Sequence, residues 1–317
     1  MPEFIIINGR KVGRGQSVDI NLNIARLPTY TNIDLPVRIL RAEEDGPVLL
    51  LTGGLHGDEI NGIEIVRRLV SRDLLQPVKG TVIAIPLVNV YGFIQSARGV
   101  PDGKDINRSF PGAKGGSLAK LVAYTLMNQI IPQIDLGIDF HTGGASRANF
   151  PQIRCTFNDP YNLKVAKAFA PPLILHSGLI DKSFRKAADR KKKKILVFET
   201  GEAHRFDEAG IQEGINGTLR VMQFLKMRNK APEGNNVELY RKSMWVRARY
   251  AGLFQPLIRM GDTVKKRQHL GKITDPFGFE SFKIVAPGDG RVIGLNFSPV
   301  VHKGDAVMHI ATSKEII

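Results

Sequence analysis

In the first two thirds of the chain, short unbroken apolar runs alternate with stretches of helical spacing. Val48–Thr52 ends in Gly53-Gly54, the mark of a strand buried on both faces of a sheet. Beyond it Ile60, Ile63, Val66, Leu69 and Val70 recur at helical spacing, with Glu64, Arg67 and Arg68 in the outer positions, which predicts an amphipathic helix. Thr81–Val88 reads as a second strand ended by Pro86. Leu118–Ile131 reads as a helix ended by Pro132, and Leu136–Phe140 as a third buried strand. Val165–Phe169 fits a short helix, Ile195–Phe198 another short strand and Ile215–Lys226 a closing helix. The alternation predicts an α/β core, a sheet flanked by helices.

The polar stretch NKAPEGNN, around Asn229–Asn236, breaks this rhythm and divides the chain into residues 1–230 and a β-rich part, 236–317. In the second part short β-prone pieces are punctuated by glycine, and the turns Gly261-Asp262 and Gly304-Asp305 suggest an internal repeat. Around APGDGRV it resembles the barrel-sandwich fold of lipoyl and biotinyl carrier domains. The hairpin before that motif reads Phe277-Gly278-Phe279-Glu280 and offers no lysine to modify, so a structural or site-covering role is expected.

Composition narrows the function classes. The chain has 317 residues, 43% of them hydrophobic and 24% charged, as expected of one large or two modest globular domains. No apolar run approaches the roughly 20 residues of a membrane span, and the start lacks the pattern of a secretory signal, which points to a cytoplasmic protein with no membrane partner. The single cysteine, Cys155, excludes an internal disulfide and a cysteine-rich zinc site, so a metal would be held by His and carboxylates. A net charge of +15 admits nucleic acid, a membrane surface or anionic substrates as partners. The excess is spread along the chain, however, and its one dense run, Arg190–Lys194, reads as a solvated turn. With 7% aromatics there is little for bases to stack on, and no specific nucleic-acid partner is expected.

His56-Gly57-Asp58-Glu59 lies between the first buried strand and its helix, where open α/β sheets place their ligands. His56 and Glu59 can form a clip on one metal ion, and catalytic zinc usually takes a third protein ligand from elsewhere. His141, directly after Leu136–Phe140 and followed by Gly143-Gly144, is the candidate. In Asp105-Ile106-Asn107-Arg108 a guanidinium fork beside an amide suits two-pronged recognition of a carboxylate. Glu199 ends the strand Ile195–Phe198, where its carboxylate can face the metal as general base, with Glu202 as the fallback. Arg147 and Arg154 are candidates for a second anionic pocket.

Together GGLHGDE, DINRSFPG, DFHTGG and VFETGE resemble, in order and spacing, the succinylglutamate desuccinylase and aspartoacylase family, relatives of the zinc carboxypeptidases. The resemblance implies a zinc-carboxypeptidase-like mixed sheet with a small C-terminal all-β domain. It implies one Zn2+ per chain on His56, Glu59 and His141, and a substrate carboxylate held by Asn107 and Arg108. By the same resemblance Asp105 accepts a hydrogen bond from the far ring nitrogen of His56, and Arg98 polarises the scissile carbonyl. The expected activity is zinc-dependent deacylation of an N-acyl amino acid or a similar small amide bearing a carboxylate. A metallocarboxypeptidase and a non-catalytic binding protein are the alternatives.

Overall fold

A computed structural model describes residues 3–26 and 29–315. In chain order the elements of the first part are Ile5–Ile7 (β1), Arg10–Val12 (β2), Ser17–Arg26 (β3), Asn32–Arg41 (β4), Glu44–Gly53 (β5), Ile60–Ser71 (α1) and Lys79–Ile85 (β6). They continue with Val90–Ile94 (α2), Leu118–Thr125 (α3), Leu136–Gly143 (β7), Arg147–Cys155 (β8), Pro160–Phe169 (α4), Leu173–His176 (β9), Phe184–Arg190 (α5), Lys194–Glu202 (β10) and Glu208–Phe224 (α6). The C-terminal part is all β: Glu238–Arg247 (β11), Gly252–Pro256 (β12), Thr263–Val264 (β13), His269–Thr274 (β14), Ser281–Val285 (β15), Gly290–Asn296 (β16), Val300–Val301 (β17) and Ala306–Lys314 (β18).

The result is a mixed α/β fold around one large sheet of order β13-β16-β18-β11-β9-β8-β10-β7-β5-β6-β4-β3. At its centre β10, β7, β5 and β6 run parallel, as alternating strands and helices require. Successive side chains of these strands enter opposite cores. Leu50, Ile83 and Ile195 pack with Val122, Leu126 and Phe184 on one face. Leu49, Leu51 and Leu196 pack with Val66, Phe169 and Ile215 on the other.

Three differences from the sequence pattern have local causes, and the basic run falls where the pattern put it. Strands β3 and β4 alternate buried and exposed positions around an antiparallel pairing, but Pro36 interrupts the second; it lies beyond the stretch of β4 that pairs with β6. The helix expected to stop at Pro132 instead passes from α3 through a π turn, Leu126–Ile130, into a 3-10 turn, Ile131–Gln133. Pro132 sits in the first turn of that segment, where its missing N–H leaves no bond unmade. Strands β7 and β10 run past Phe140 and Phe198, so His141 and Glu199 stand inside strands rather than after them. The Arg190–Lys194 run forms the turn between α5 and β10, with Lys194 paired to Asp159 and Asp189.

The C-terminal part has its own apolar core around Phe254, Leu270, Val292 and Ile310, yet it is stitched into the large sheet. Strand β16 pairs with β18 and also with β8, so β8, β9, β11, β18 and β16 close into a ring. Leu173, Leu175, Tyr240, Ile293 and Ala311 form a small core shared by four of those strands. The suspected repeat appears in two turns of one geometry. The Asp262 and Asp305 carboxylates accept from the backbone N–H of Arg259 and His302, each at 2.7 Å. No helix of the described residues is long and apolar enough to cross a membrane.

Candidate active site

Four adjacent strand ends and the loops after them bring the predicted residues to one cavity of about 180 Å³. The HGDE turn follows β5, and Glu59 is the residue just before α1; its side chain makes no cap bond to the helix and turns inward instead. Gly57 is required by contact, since a Cβ there would lie 2.0 Å from the Gly92 carbonyl carbon. Gly62, one turn into α1, lets the helix approach β7, because a Cβ would meet the Phe140 carbonyl oxygen at 2.4 Å. These two glycines set how closely the His56–Glu59 turn sits to His141.

Glu59 is the hub. Its two oxygens meet His56 Nδ1 at 2.7 Å and His141 Nδ1 at 2.8 Å, and the second also accepts the Thr142 backbone N–H at 3.1 Å. All three side chains are buried. The far ring nitrogens are held from behind: His56 Nε2 by Asp105 at 3.2 Å, His141 Nε2 by Asp139 at 2.7 Å. Asp139 in turn accepts from the Thr52 hydroxyl at 2.7 Å. Asp139 had no assigned role in the sequence, although the signal was present: two residues before His141 on one strand, it must share the face of His141.

Charge is balanced inside this chain of contacts. Burial alone would raise the Glu59 carboxyl, but the flanking imidazoles outweigh it and hold it well below the usual range. Burial would lower His141, but Asp139 and Glu59 prevail and lift it well above the usual value. His56 is raised in the same way, with Glu59 and Asp105 outweighing burial. Asp105 is held well below the carboxylate range, against its burial, by His56 and Arg98.

One ligand atom from each of His56, Glu59 and His141 lies within 4.8 Å of the others. Two imidazole nitrogens and a carboxylate oxygen, with both imidazoles oriented from behind, form a donor set that suits zinc with a position left open. A cation entering there displaces the protons shared by Glu59 and the two imidazoles, so its uptake is coupled to proton release.

Around this cluster lie four arginines. Arg98 spans Glu59, at 3.0 Å, and Asp105, at 3.2 Å. Arg154 lies 3.4 Å from Glu199. Arg108 donates to the Asn107 carbonyl at 2.7 Å, and Arg185 to the carbonyls of Arg154, Ser177 and Gly178. Neither Arg108 nor Arg185 has a carboxylate partner among the described residues. The Asn107 amide oxygen accepts the Phe184 N–H at 2.9 Å, which leaves its NH2 group for the cavity. Arg147 lies outside the cavity lining, donating to Gly144 and sitting over the Trp245 ring.

Glu199 pairs in register with His141 on the neighbouring parallel strand, so the two side chains leave the same face of the sheet side by side. Asn149 donates to its carboxylate at 2.7 Å. Strand β16 braces that contact: a Cβ on Gly294 would lie 3.2 Å from the Asn149 amide oxygen. Glu202 lines a different pocket and pairs with Arg205 at 3.0 Å. The Cys155 thiol is buried, which pushes it up to about 12 and leaves it without nucleophilic character near neutral pH.

Residues 45–225, more than half of the chain, match the succinylglutamate desuccinylase/aspartoacylase catalytic domain. The chain belongs to the succinylglutamate desuccinylase/aspartoacylase family. An N-alpha-acetyl-L-2,4-diaminobutyric acid deacetylase of Halomonas elongata is 28% identical over 292 residues, covering 87% of this chain and 85% of that one. A succinylglutamate desuccinylase/aspartoacylase of Rhodobacter sphaeroides superposes with a TM-score of 0.82 at 28% identity, over 93% of this chain and 94% of that one. The product-bound ectoine utilization protein EutE (DoeB) of Ruegeria pomeroyi shares the fold at a TM-score of 0.85 and 22% identity, over 95% and 96% of the two chains.

Asp139 gives the first test of the site. Asp139→Asn removes the charge that orients His141 and should weaken metal binding by about 10- to 100-fold, measured by competition with a coloured chelator. An unchanged affinity would mean that His141 needs no support from behind to hold the ion.

Proposed function

We propose that this family member is a zinc-dependent deacylase of the zinc-carboxypeptidase-like kind, with one Zn2+ per chain held by His56 Nδ1, Glu59 and His141 Nδ1. It would hydrolyse the amide bond of an N-acyl amino acid. The observation that carries this reading is the buried His-Glu-His convergence beside guanidinium groups that lack carboxylate partners. When bound, zinc supplies Lewis-acid polarisation of the scissile carbonyl and a water acidic enough to attack it near neutral pH.

The remaining work falls to the chain. The Glu199 carboxylate takes a proton from the attacking water as the carbon–oxygen bond forms. It returns that proton to the nitrogen as the carbon–nitrogen bond breaks, so the products are a carboxylic acid and a free amine. Asn149 holds the carboxylate in place during both transfers. Asn107 and Arg108 grip the amino acid's carboxylate, which fixes the scissile bond relative to Glu199. Arg98, anchored on Asp105, directs its charge toward the oxygen of the tetrahedral intermediate.

Two unpaired guanidiniums in one small cavity favour a substrate with two negative groups, one for Arg108 and one for Arg185. By its name the Halomonas relative acts on an acetylated diamino acid, which would carry a second amine instead. A cavity of about 180 Å³ suits a small amide better than the peptide of a carboxypeptidase. Glu199 held by Asn149 beside the metal cluster favours catalysis over binding alone.

Free-amine release from N-acetyl and N-succinyl amino acids, each with acidic, neutral and basic side chains, tests the reading. Acylated acidic amino acids should be turned over, and their α-carboxamides should not. Equal turnover of acid and amide forms would remove the carboxylate clamp from the account. Arg108→Lys should raise KM about 10- to 100-fold, from the roughly 1.5–3 kcal/mol of a hydrogen bond to a charged group. A KM within twofold of wild type would release Arg108 from that role.

A further inference from the structure

The most exposed large hydrophobic side chains of the described residues are at one hairpin tip. Between β14 and β15, Phe277 is 81% and Phe279 88% exposed, and their rings lie parallel with centroids 5.7 Å apart. The tip is built rather than loose. The Asp275 carboxylate accepts the backbone N–H of both Phe277 and Glu280, and Gly278 turns the chain at φ +77°. Nothing among the described residues covers these rings, and two stacked aromatics held in water on a formed turn mark a contact surface.

A matching receptacle lies at the base of the same unit. A cavity of about 710 Å³ opens between β11 and the β14–β15 hairpin, walled by Trp245, Tyr250, Phe282 and Pro287. Tyr250 and Phe282 stack with centroids 3.7 Å apart, which forms a flat apolar floor. Four cations surround it, Arg247, Arg249, Lys283 and Lys303, and no carboxylate lines it among the described residues. The side chains of Arg249, Lys283 and Lys303 have no hydrogen-bond or ion-pair partner among the described residues.

We propose that the C-terminal unit is an interface between two copies of this chain, in which the Phe277/Phe279 tip of each copy fills the aromatic, cation-rimmed cavity of the other. The tip carries what that cavity lacks: its two rings are flanked by Asp275 and Glu280, carboxylates that meet the unpaired cations as the rings meet the floor. Those same carboxylates disfavour an anionic membrane as the tip's partner. Pairing of the edge strand β15 with its symmetry mate is disfavoured by Lys283, which stands in the middle of that edge. The copies therefore meet through side chains. The tip belongs to the hairpin that forms one wall of the receptacle, so one two-fold axis can satisfy both contacts and close the assembly. A buried aromatic hides about 150–250 Å². Four rings and the walls facing them come to about 1,200–2,000 Å², the range of a stable interface.

Light scattering after size exclusion should give twice the 35.0 kDa chain mass. Phe277→Ser/Phe279→Ser should halve that mass, and so should Arg249→Glu/Lys283→Glu; all four side chains lie outside the candidate active site, so hydrolysis and circular dichroism should be unchanged. A wild-type mass equal to one chain at tens of micromolar overturns the proposal. So does a double-phenylalanine variant that stays dimeric, since the interface would then lie elsewhere. If the phenylalanine variant dissociates but the charge-reversed one does not, the tip is buried against another surface and the receptacle is wrongly assigned. Sedimentation of a monomeric wild-type chain with phosphatidylserine vesicles, lost in the phenylalanine variant, would make the tip a membrane contact and equally refute the proposal.

Discussion

Glu199→Gln is expected to lower kcat by about 10²- to 10⁴-fold while the metal content stays at the wild-type level. Glutamine keeps the size of the side chain and can still bond to Asn149, so strand β10 and its register with His141 have no reason to move. It cannot take a proton from water, so the first proton transfer loses its acceptor and the second its donor. Because Glu199 is not among the proposed metal ligands, kcat and metal content should separate cleanly. Near wild-type kcat in this variant would mean that the base is another group. Glu202 would be a poor replacement, since it lines a different pocket and is paired with Arg205.

His141→Ala should have the opposite signature, with metal content falling from about one ion per chain to a small fraction of that, and activity falling with it. Its second effect is on stability. Removing the imidazole leaves Asp139 and Glu59 buried without the cation-forming group that faces both, and an uncompensated buried charge costs about 3–5 kcal/mol. The metal-free variant should therefore unfold at lower denaturant concentration than metal-free wild type. His56→Ala should lose the metal as well, with a smaller loss of stability, because its outer partner Asp105 is 23% exposed and can be hydrated. Metal analysis of both variants decides the ligand assignment, and undiminished content in both would reject it.

The site was more legible in the sequence than the sheet that carries it. His56, Glu59 and His141 could be found because each follows or ends an apolar run, and buried parallel strands announce themselves by unbroken hydrophobicity. The same rule fails for β3 and β4, whose alternation of buried and exposed positions is diluted by Asn, Asp and Pro36. It fails also for β8, where Asn149, Gln152 and Arg154 supply polar groups to the site or to a neighbouring strand. A strand that serves a site gives up the pattern that would reveal it. Arg185 was invisible for a related reason: its place in the same cavity as Arg108 depends on α5 meeting the Asp105–Arg108 turn through Asn107 and Phe184, a contact between segments far apart in sequence. Asp139 differs from these, since its spacing from His141 was readable and only its role was left unassigned.

The C-terminal part illustrates the same limit. Its glycine turns and β-prone pieces were evident, and the two Gly-Asp turns share one hydrogen-bond geometry. Its joining to β8 and β9, which braces Asn149 behind Glu199, depends on strand pairing over long sequence separations and leaves no local trace.

Zinc-dependent deacylation is tested by amine release from an N-acylated acidic amino acid by one preparation in three states: as purified, after exhaustive chelation, and after return of one equivalent of zinc. Turnover is expected in the first, its loss in the second and its recovery in the third, with at most about a hundredth of it recovered by Glu199→Gln carried through the same cycle. Turnover that survives chelation with the metal verifiably removed, or no release from any acylated amino acid by the zinc-loaded protein, would contradict zinc-dependent deacylation.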